Sequence, residues 1–265
     1  MSSSAAAATG SSMSDGARRY AMVILAIVYM FNFVDRQILA ILLPAIRDEF
    51  QVGDTVLGFL TGTAFALFYV TLGIPIAQLA DRWNRRNLVA LSLAIWSGMT
   101  AVSGLAANIW HLTLARIGVG IGEAGCSPPA HSMIADYYPP EKRSTAMGFY
   151  TLGISAGIML AYLAGGWVVQ NIGWREAFFI VGLPGLALAL LVSTLREPAR
   201  RGLSNADARA EPFTQSLARF ATFFGQHWKS FSTLVASFTL LVLMAYANFA
   251  WMPTFFRRVH GWDIA

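Results

Sequence analysis

Seven stretches of this chain run for about twenty residues each with almost no charge, and that feature decides most of what it can fold into. A helix rises about 1.5 Å per residue and the hydrocarbon layer of a bilayer is about 30 Å thick, so roughly 20 apolar residues make one crossing. The stretches are 20–46, 55–77, 88–107, 112–135, 144–169, 176–195 and 230–249. A membrane barrel would need alternating segments of about ten residues instead. None is present, so helices must satisfy the backbone. The expected fold is an all-α membrane protein. It has a six-transmembrane-helix bundle over 20–195, a polar cytoplasmic linker over 196–229, and over 230–265 a seventh transmembrane helix and the start of a further domain.

Charge supports this. Only 12% of the 265 residues are charged, against about 25% in soluble domains, which argues against an ordinary soluble enzyme. The 19 Lys and Arg outnumber 14 Asp and Glu, but they sit in short clusters between apolar runs and form no continuous nucleic-acid-binding patch. Thirteen of the 19 fall in segments on the amino-terminal side of the spans. Four (Arg47, Arg175, Arg257 and Arg258) fall opposite, and Arg36 and Arg116 lie within spans. Cytoplasmic loops carry the excess of basic residues, so the amino terminus is expected in the cytoplasm. Residues 1–19, rich in Ser, Ala and Gly, read as a disordered cytoplasmic tail. No small-residue cleavage site follows Arg18 and Arg19, so the first span is expected to be retained. In the linker, Phe213, Leu217, Phe220 and Phe224 repeat at helical spacing. They form either a helix on the inner membrane surface or an amphipathic start to the seventh span.

An ionisable residue within a span is costly and therefore a functional candidate. Asp35 and Arg36 lie in the first span, Arg116 and Glu123 in the fourth. At 100° per residue, Tyr29, Asn32, Asp35 and Arg36 share one side of the first helix. On the fourth, Arg116, Gly120 and Glu123 share a face, with Gly118, Gly122 and Gly125 opposite on a face suited to close helix contact. Asp35, Arg116 and Glu123 all reach the middle-to-outer layer of the membrane and can share a cavity. Desolvation favours a neutral carboxyl and a nearby arginine favours the anion, so this group suits proton coupling centred on Arg116. A static ion pair and a clamp for a substrate headgroup are the other readings.

Several strings resemble the major facilitator superfamily. AQLADRWNRRN (77–87) is similar to its cytoplasmic signature, G-x-L-A-D-R-x-G-R-R in form, with Ala77 and Asn84 in place of the two glycines. Asn tolerates left-handed backbone geometry, which would preserve the turn. LTLARIGVGIGEA (112–124) resembles the arginine motif, with Val119 where glutamine is frequent. Gly148, Gly157, Gly165 and Gly166 outline the antiporter glycine motif, with Ala161 and Tyr162 in place of its Gly-Pro. NFVDRQILAILLPAIRDEF, GEAGCSPPAHSMIADYYPPEKR and WREAFFIVGLPG, the last followed by REPARRG, are similar to the Spinster family of lysolipid and sphingolipid transporters.

That resemblance implies the amino-terminal half of a transporter of two six-helix halves, partnered by a missing carboxy-terminal half and set in a bacterial inner membrane. It implies a proton-coupled carrier of lysophospholipid- or sphingolipid-like amphipaths working by alternating access. Asp35, Glu123 and Arg116 would couple protons, and Asn32, Arg36, Tyr29 and Gly120 would line the substrate cavity. Asp81, Arg82, Arg85 and Arg86 would form a cytoplasmic latch. Two rivals remain: a carrier of small organic anions clamped by Arg36 and Arg116, and a membrane binding or regulatory protein that moves nothing. No catalytic residue, metal or cofactor is expected. His131 reads as a packed or interfacial residue, and His111, His227 and His260 as boundary residues. Gly118 to Gly122 lack the strand and Lys-Ser/Thr of a phosphate loop, and Cys126 has no disulfide partner.

Overall fold

The computed structural model describes residues 13–200 and 213–262. Residues 1–12 of the expected tail over 1–19 and the middle of the expected linker, 201–212, lie outside the described residues. Residues 15–19, expected in the tail, instead open the first helix, where the Ser14 cap and Asp15 in the first turn favour it. Ser14 starts the first helix, its hydroxyl accepting the Ala17 N–H at 3.3 Å. Helix α1 (Asp15–Phe50) then runs for 36 residues until Gln51 turns left-handed at φ 52°. A short helix α2 (Asp54–Gly58) passes through one π turn (Phe59–Thr63) into α3 (Ala64–Arg82). The extra residue of a π turn opens the backbone ladder, and here the Thr61 hydroxyl donates back to the Leu57 carbonyl at 3.0 Å. There follow α4 (Arg85–Ser103), α5 (Ile109–Ala124), α6 (Ser127–Tyr137), α7 (Pro140–Asn171), α8 (Trp174–Ser193) and α9 (Phe213–His260).

Among the described residues, five helical stretches are long and apolar enough to cross a membrane: Asp15–Phe50, Asp54–Arg82, Pro140–Asn171, Trp174–Ser193 and Leu217–Asn248. The other two expected crossings are not single apolar helices. Helix α4 is polar along its buried side, where Ser92, Ser97, Thr100 and Ser103 face inward. The stretch 112–135 breaks at Gly125 and Cys126, and α6 restarts with prolines in its first turn, where their missing N–H groups cost nothing. Asn84 also departs from expectation. Its φ is −70°, not left-handed, and its side chain caps α4 by accepting the Asn87 N–H at 2.9 Å. Capping explains an asparagine there better than turn geometry does.

Glycines set the closest helix contacts. A Cβ on Gly122 would lie 2.6 Å from the Trp96 nitrogen, and one on Gly118 would meet the Met99 side chain, so the glycine face of α5 lies directly on α4. In α7, Gly153 and Gly157 sit against the Ala26 and Met30 carbonyls of α1. The resulting interior, among the described residues, has a small apolar cluster of Val34, Ile41 and Ala161 and two large ones. One gathers Ala21 to Val28 of α1 with Leu93, Trp96, Met133 and Tyr150. The other gathers Ile38 to Ile46 with Leu60, Leu112 and Phe178. The segment of α1 between them carries the buried polar residues Asn32, Asp35 and Gln37. A polar layer thus divides the core at mid-helix.

Helix α9 bends at His227, whose φ and ψ are −119° and 20°. From Leu217 to Asn248, on both sides of the bend, no residue is buried.

Candidate functional site

The polar layer is built from α1, α4 and α5, with contributions from α3 and α9. Asp35 is 1% exposed and accepts two bonds, from Arg116 Nη1 at 3.1 Å and from Thr100 Oγ1 at 2.9 Å. Arg116 is equally enclosed, at 2%. One residue along α1, Arg36 donates from Nε to Glu123 Oε2 at 2.7 Å and from Nη1 to the Tyr246 hydroxyl of α9 at 3.2 Å. The Glu123 side chain is fully enclosed and that of Arg36 is 15% exposed. The Arg36 guanidinium also lies over the rings of Phe33, Phe65 and Tyr69, 5.0 to 5.6 Å from their centroids. Such stacking favours a delocalised cation.

The structure therefore brings together the four ionisable residues that the helical periodicity groups, but in two crossed pairs. Asp35 holds Arg116, and Glu123 holds Arg36 rather than sharing Arg116. Arg36 and Arg116 line one cavity of about 80 Å³, closed by Thr61, Phe65, Tyr246 and Ala250. Three buried polar atoms of this layer, Asn32 Oδ1, Arg116 Nε and Glu123 Oε1, have no hydrogen-bond partner, and neither has the Tyr150 hydroxyl. Buried polar atoms are normally satisfied, so this concentration marks the place where the interior is incomplete as a packed core. Gly120 lets α5 approach the Phe65 carbonyl of α3, which a Cβ would meet at 2.8 Å. Tyr29 stacks on Tyr150 at 4.3 Å, and His131 meets Tyr150 edge-on at 5.3 Å. His131 itself is exposed.

Of the expected latch residues, Arg85 and Arg86 form a clasp and Asp81 and Arg82 lie exposed at the end of α3. Arg85, 1% exposed, donates to Asp136 at 2.5 Å, Ser132 at 2.8 Å, Glu197 at 2.8 Å and the Pro198 carbonyl at 2.8 Å. The Arg86 N–H donates to the other Glu197 oxygen at 2.9 Å. Burial works against the charge on Arg85, but the bonds to Asp136 and Glu197 outweigh it and strengthen its hold on the proton. The clasp ties α4 to α6 and to the chain leaving α8.

At the opposite end, Arg258 of α9 makes a two-bond contact with Asp54 at 2.8 and 2.9 Å, and Arg257 approaches Asp48 at 3.6 Å. Nearby, Glu49 accepts from Trp174 Nε1 and from Arg175, each at 2.6 Å.

Sequence reasoning missed Thr100, Tyr246, Asp136 and Glu197. A hydroxyl-rich buried side of the third apolar run and a tyrosine near the end of the seventh were the available signals for the first two. The acidic partners of Arg85 are 51 and 112 residues away, a pairing that only the fold supplies. No group of His, Cys, Asp or Glu that could hold a metal occurs among the described residues.

The sequence model of the Major Facilitator Superfamily matches residues 25–265. An efflux pump of Mycolicibacterium smegmatis described as MFS-type is 31% identical over 92% of this chain and 56% of its own length. Human protein spinster homolog 1 is 33% identical over 71% of this chain and 36% of its own. The crystal structure of a bacterial homologue of the human lysosomal transporter Spinster, inward-facing and unoccupied, superposes with a TM-score of 0.80 at 35% identity. That match covers 95% of this chain and 58% of the other. The chain thus spans only about a third to somewhat over half the length of these proteins. It is an all-α, multi-span membrane protein that belongs to the major facilitator superfamily and is related to its Spinster family.

Proposed function

We propose that this chain is the amino-terminal half, with the linker and seventh helix, of a proton-coupled secondary transporter for lysophospholipid- or sphingolipid-like amphipaths. In this reading α4 and the broken pair α5–α6 are the third and fourth crossings, so six crossings precede the linker over 196–229 and the seventh over 230–265. The distribution of basic residues supports an amino terminus and an Arg85 clasp on the cytoplasmic side.

The observation that carries the reading is the crossed pairing in the buried layer. Glu123 is enclosed, meets one guanidinium through Oε2 and leaves Oε1 unpartnered. A carboxylate so placed takes up a proton at the expense of one ion pair, and that pair reaches the seventh helix. When Glu123 is neutral it no longer holds Arg36, and Arg36 is the residue bonded to Tyr246 of α9. Protonation at Asp35 loosens Arg116 and Thr100 in the same way. Each tenfold difference in proton affinity between two conformations contributes about 1.4 kcal/mol to their balance. Two carboxylates together can therefore tip a near-balanced equilibrium. Asn32, Tyr29, Gly120 and the freed Arg36 then face the cargo.

The described conformation fits one side of such a cycle. Helix α9 is tied to α1 and α2 at the outer end by Arg257 and Arg258, the closed outer side that an inward-facing state requires.

A second reading, transport of a small organic anion, is favoured by the two guanidinium groups lining one cavity of about 80 Å³. Uptake by the full-length protein in liposomes separates the two. Lysolipids that compete for flux driven by a pH gradient support the first reading, and small anions that compete while lysolipids do not support the second. Flux indifferent to the gradient refutes proton coupling in both.

A further inference from the structure

Outside the charged layer, a groove of about 530 Å³ lies between α1 and α7, at the end of the bundle opposite Arg257 and Arg258. It lies within the size range of pockets that hold small molecules. Its walls are Met22, Val23, Ala146 and Phe149, and its rim carries Arg19 and Lys142. Val23 and Phe149 are each 45% exposed, so the groove opens outward and does not continue into the core.

The cations near the groove fall into two kinds, those already bonded and those without an acceptor among the described residues. Arg18, one residue away, pairs with Asp15 at 2.6 Å and lies over the Tyr138 ring at 5.2 Å. Arg143 donates to the carbonyls of Ala135 and Tyr138. Arg19 and Lys142 are exposed and make no ion pair or hydrogen bond among the described residues. One further carboxylate, Glu141, is adjacent and exposed. Helix α7 begins at the groove, and its first turn has no side-chain cap, so its amino-terminal N–H groups add to the positive potential. The seven residues between Lys142 and Phe149 cover about 10 Å along α7. Cationic groups thus stand at one level and an apolar trough lies about 10 Å deeper, which is the vertical order of a phospholipid, headgroup above chains.

We infer that this groove seats an anionic diacyl phospholipid of the surrounding leaflet, with its phosphate between Arg19 and Lys142 and an acyl chain along Val23 and Phe149. On the topology proposed above the leaflet is the cytoplasmic one. Basic pockets between helices on that side bind such lipids. The occupant is a resident of the bilayer, separate from the cargo at the charged layer.

The test is native mass spectrometry of the purified full-length protein titrated with phosphatidylglycerol and phosphatidylcholine of equal chain length, with glycerol phosphate as a chainless probe. The parent should retain phosphatidylglycerol preferentially. Arg19→Gln with Lys142→Gln should weaken that retention about 30-fold, roughly a factor of five per cation. Both substitutions are on exposed side chains. Val23→Trp, which fills the trough and keeps both cations, should weaken both lipids. Equal retention of the two lipids, unchanged retention in the double variant, or binding of glycerol phosphate as tight as the lipid would each overturn the assignment. Because neither rim residue touches the charged layer, pH-driven flux should survive in the double variant, and failure here leaves the transport proposal standing.

Discussion

Replacing Asp35 with Asn should destabilise this protein far more than replacing Glu123 with Gln, although both substitutions neutralise one carboxylate of a buried pair. The difference follows from what each leaves behind. Asp35→Asn strands Arg116, which is 2% exposed and already has Nε without a partner. An uncompensated buried charge costs about 3–5 kcal/mol. Glu123→Gln leaves Arg36 with the Tyr246 hydroxyl, three aromatic faces and a 15% exposed side chain, so the loss should be only about 1–2 kcal/mol. At about 2 °C per kcal/mol for a chain of this size, Asp35→Asn should lower Tm by roughly 6–10 °C and Glu123→Gln by about 2–4 °C. Thermal unfolding of purified protein in detergent, followed by intrinsic tryptophan fluorescence, measures both. Adding Arg116→Gln to Asp35→Asn removes the stranded charge and should recover at least half of the loss. The pairing is refuted if Glu123→Gln costs as much as Asp35→Asn, or if the Asp35 and Arg116 losses simply add.

Other expectations test the remaining structure. Arg85→Lys cannot reach Asp136, Glu197, Ser132 and the Pro198 carbonyl together, and should cost about 2–4 kcal/mol in the same unfolding assay. In α7, Gly157→Ala should destabilise because its Cβ would meet the Met30 carbonyl, whereas Gly148, with nothing within 4 Å, should accept Ala with a gain of up to about 1 kcal/mol. Paired unfolding scans that rank these two the other way would break the packing argument. Arg258→Gln with Asp54→Asn removes the two-bond contact at the far end of α9 and should move the full-length protein toward outward-open conformations. Labelling of a cysteine introduced at Leu57, a buried position lining the cavity beside Arg258, should then speed up.

Much of the fold is legible in the sequence because apolar length and helical period act locally. The 100° arithmetic that put Asp35 beside Arg36 and Arg116 beside Glu123 needed only one helix at a time, and the layer it outlined exists. Which carboxylate meets which arginine depends on how α1 and α5 are rotated against each other. That rotation is fixed by contacts such as Gly122 on Trp96 and Gly157 on Met30, which no single helix reveals. The Arg85 clasp illustrates the same boundary. A basic loop is visible in the string AQLADRWNRRN, and its own aspartate, Asp81, is the nearest acid in sequence. The chain instead brings in Asp136 from the end of α6 and Glu197 from the segment that follows α8. The break at Gly125 and Cys126 was hidden for another reason. Apolar composition continues straight across it, and only the prolines at 128 and 129 signal that the backbone ladder restarts.

Proton flux itself reports whether the buried carboxylate paired with Arg36 carries the proton whose movement drives the cargo. The full-length protein is reconstituted into liposomes loaded with a pH-sensitive dye, and a lysophospholipid is added outside. A substrate-dependent change of internal pH is expected in the parent and none in Glu123→Gln, with the variant still folded and still binding the lipid. A Glu123→Gln protein that moves protons with its cargo as the parent does would contradict it.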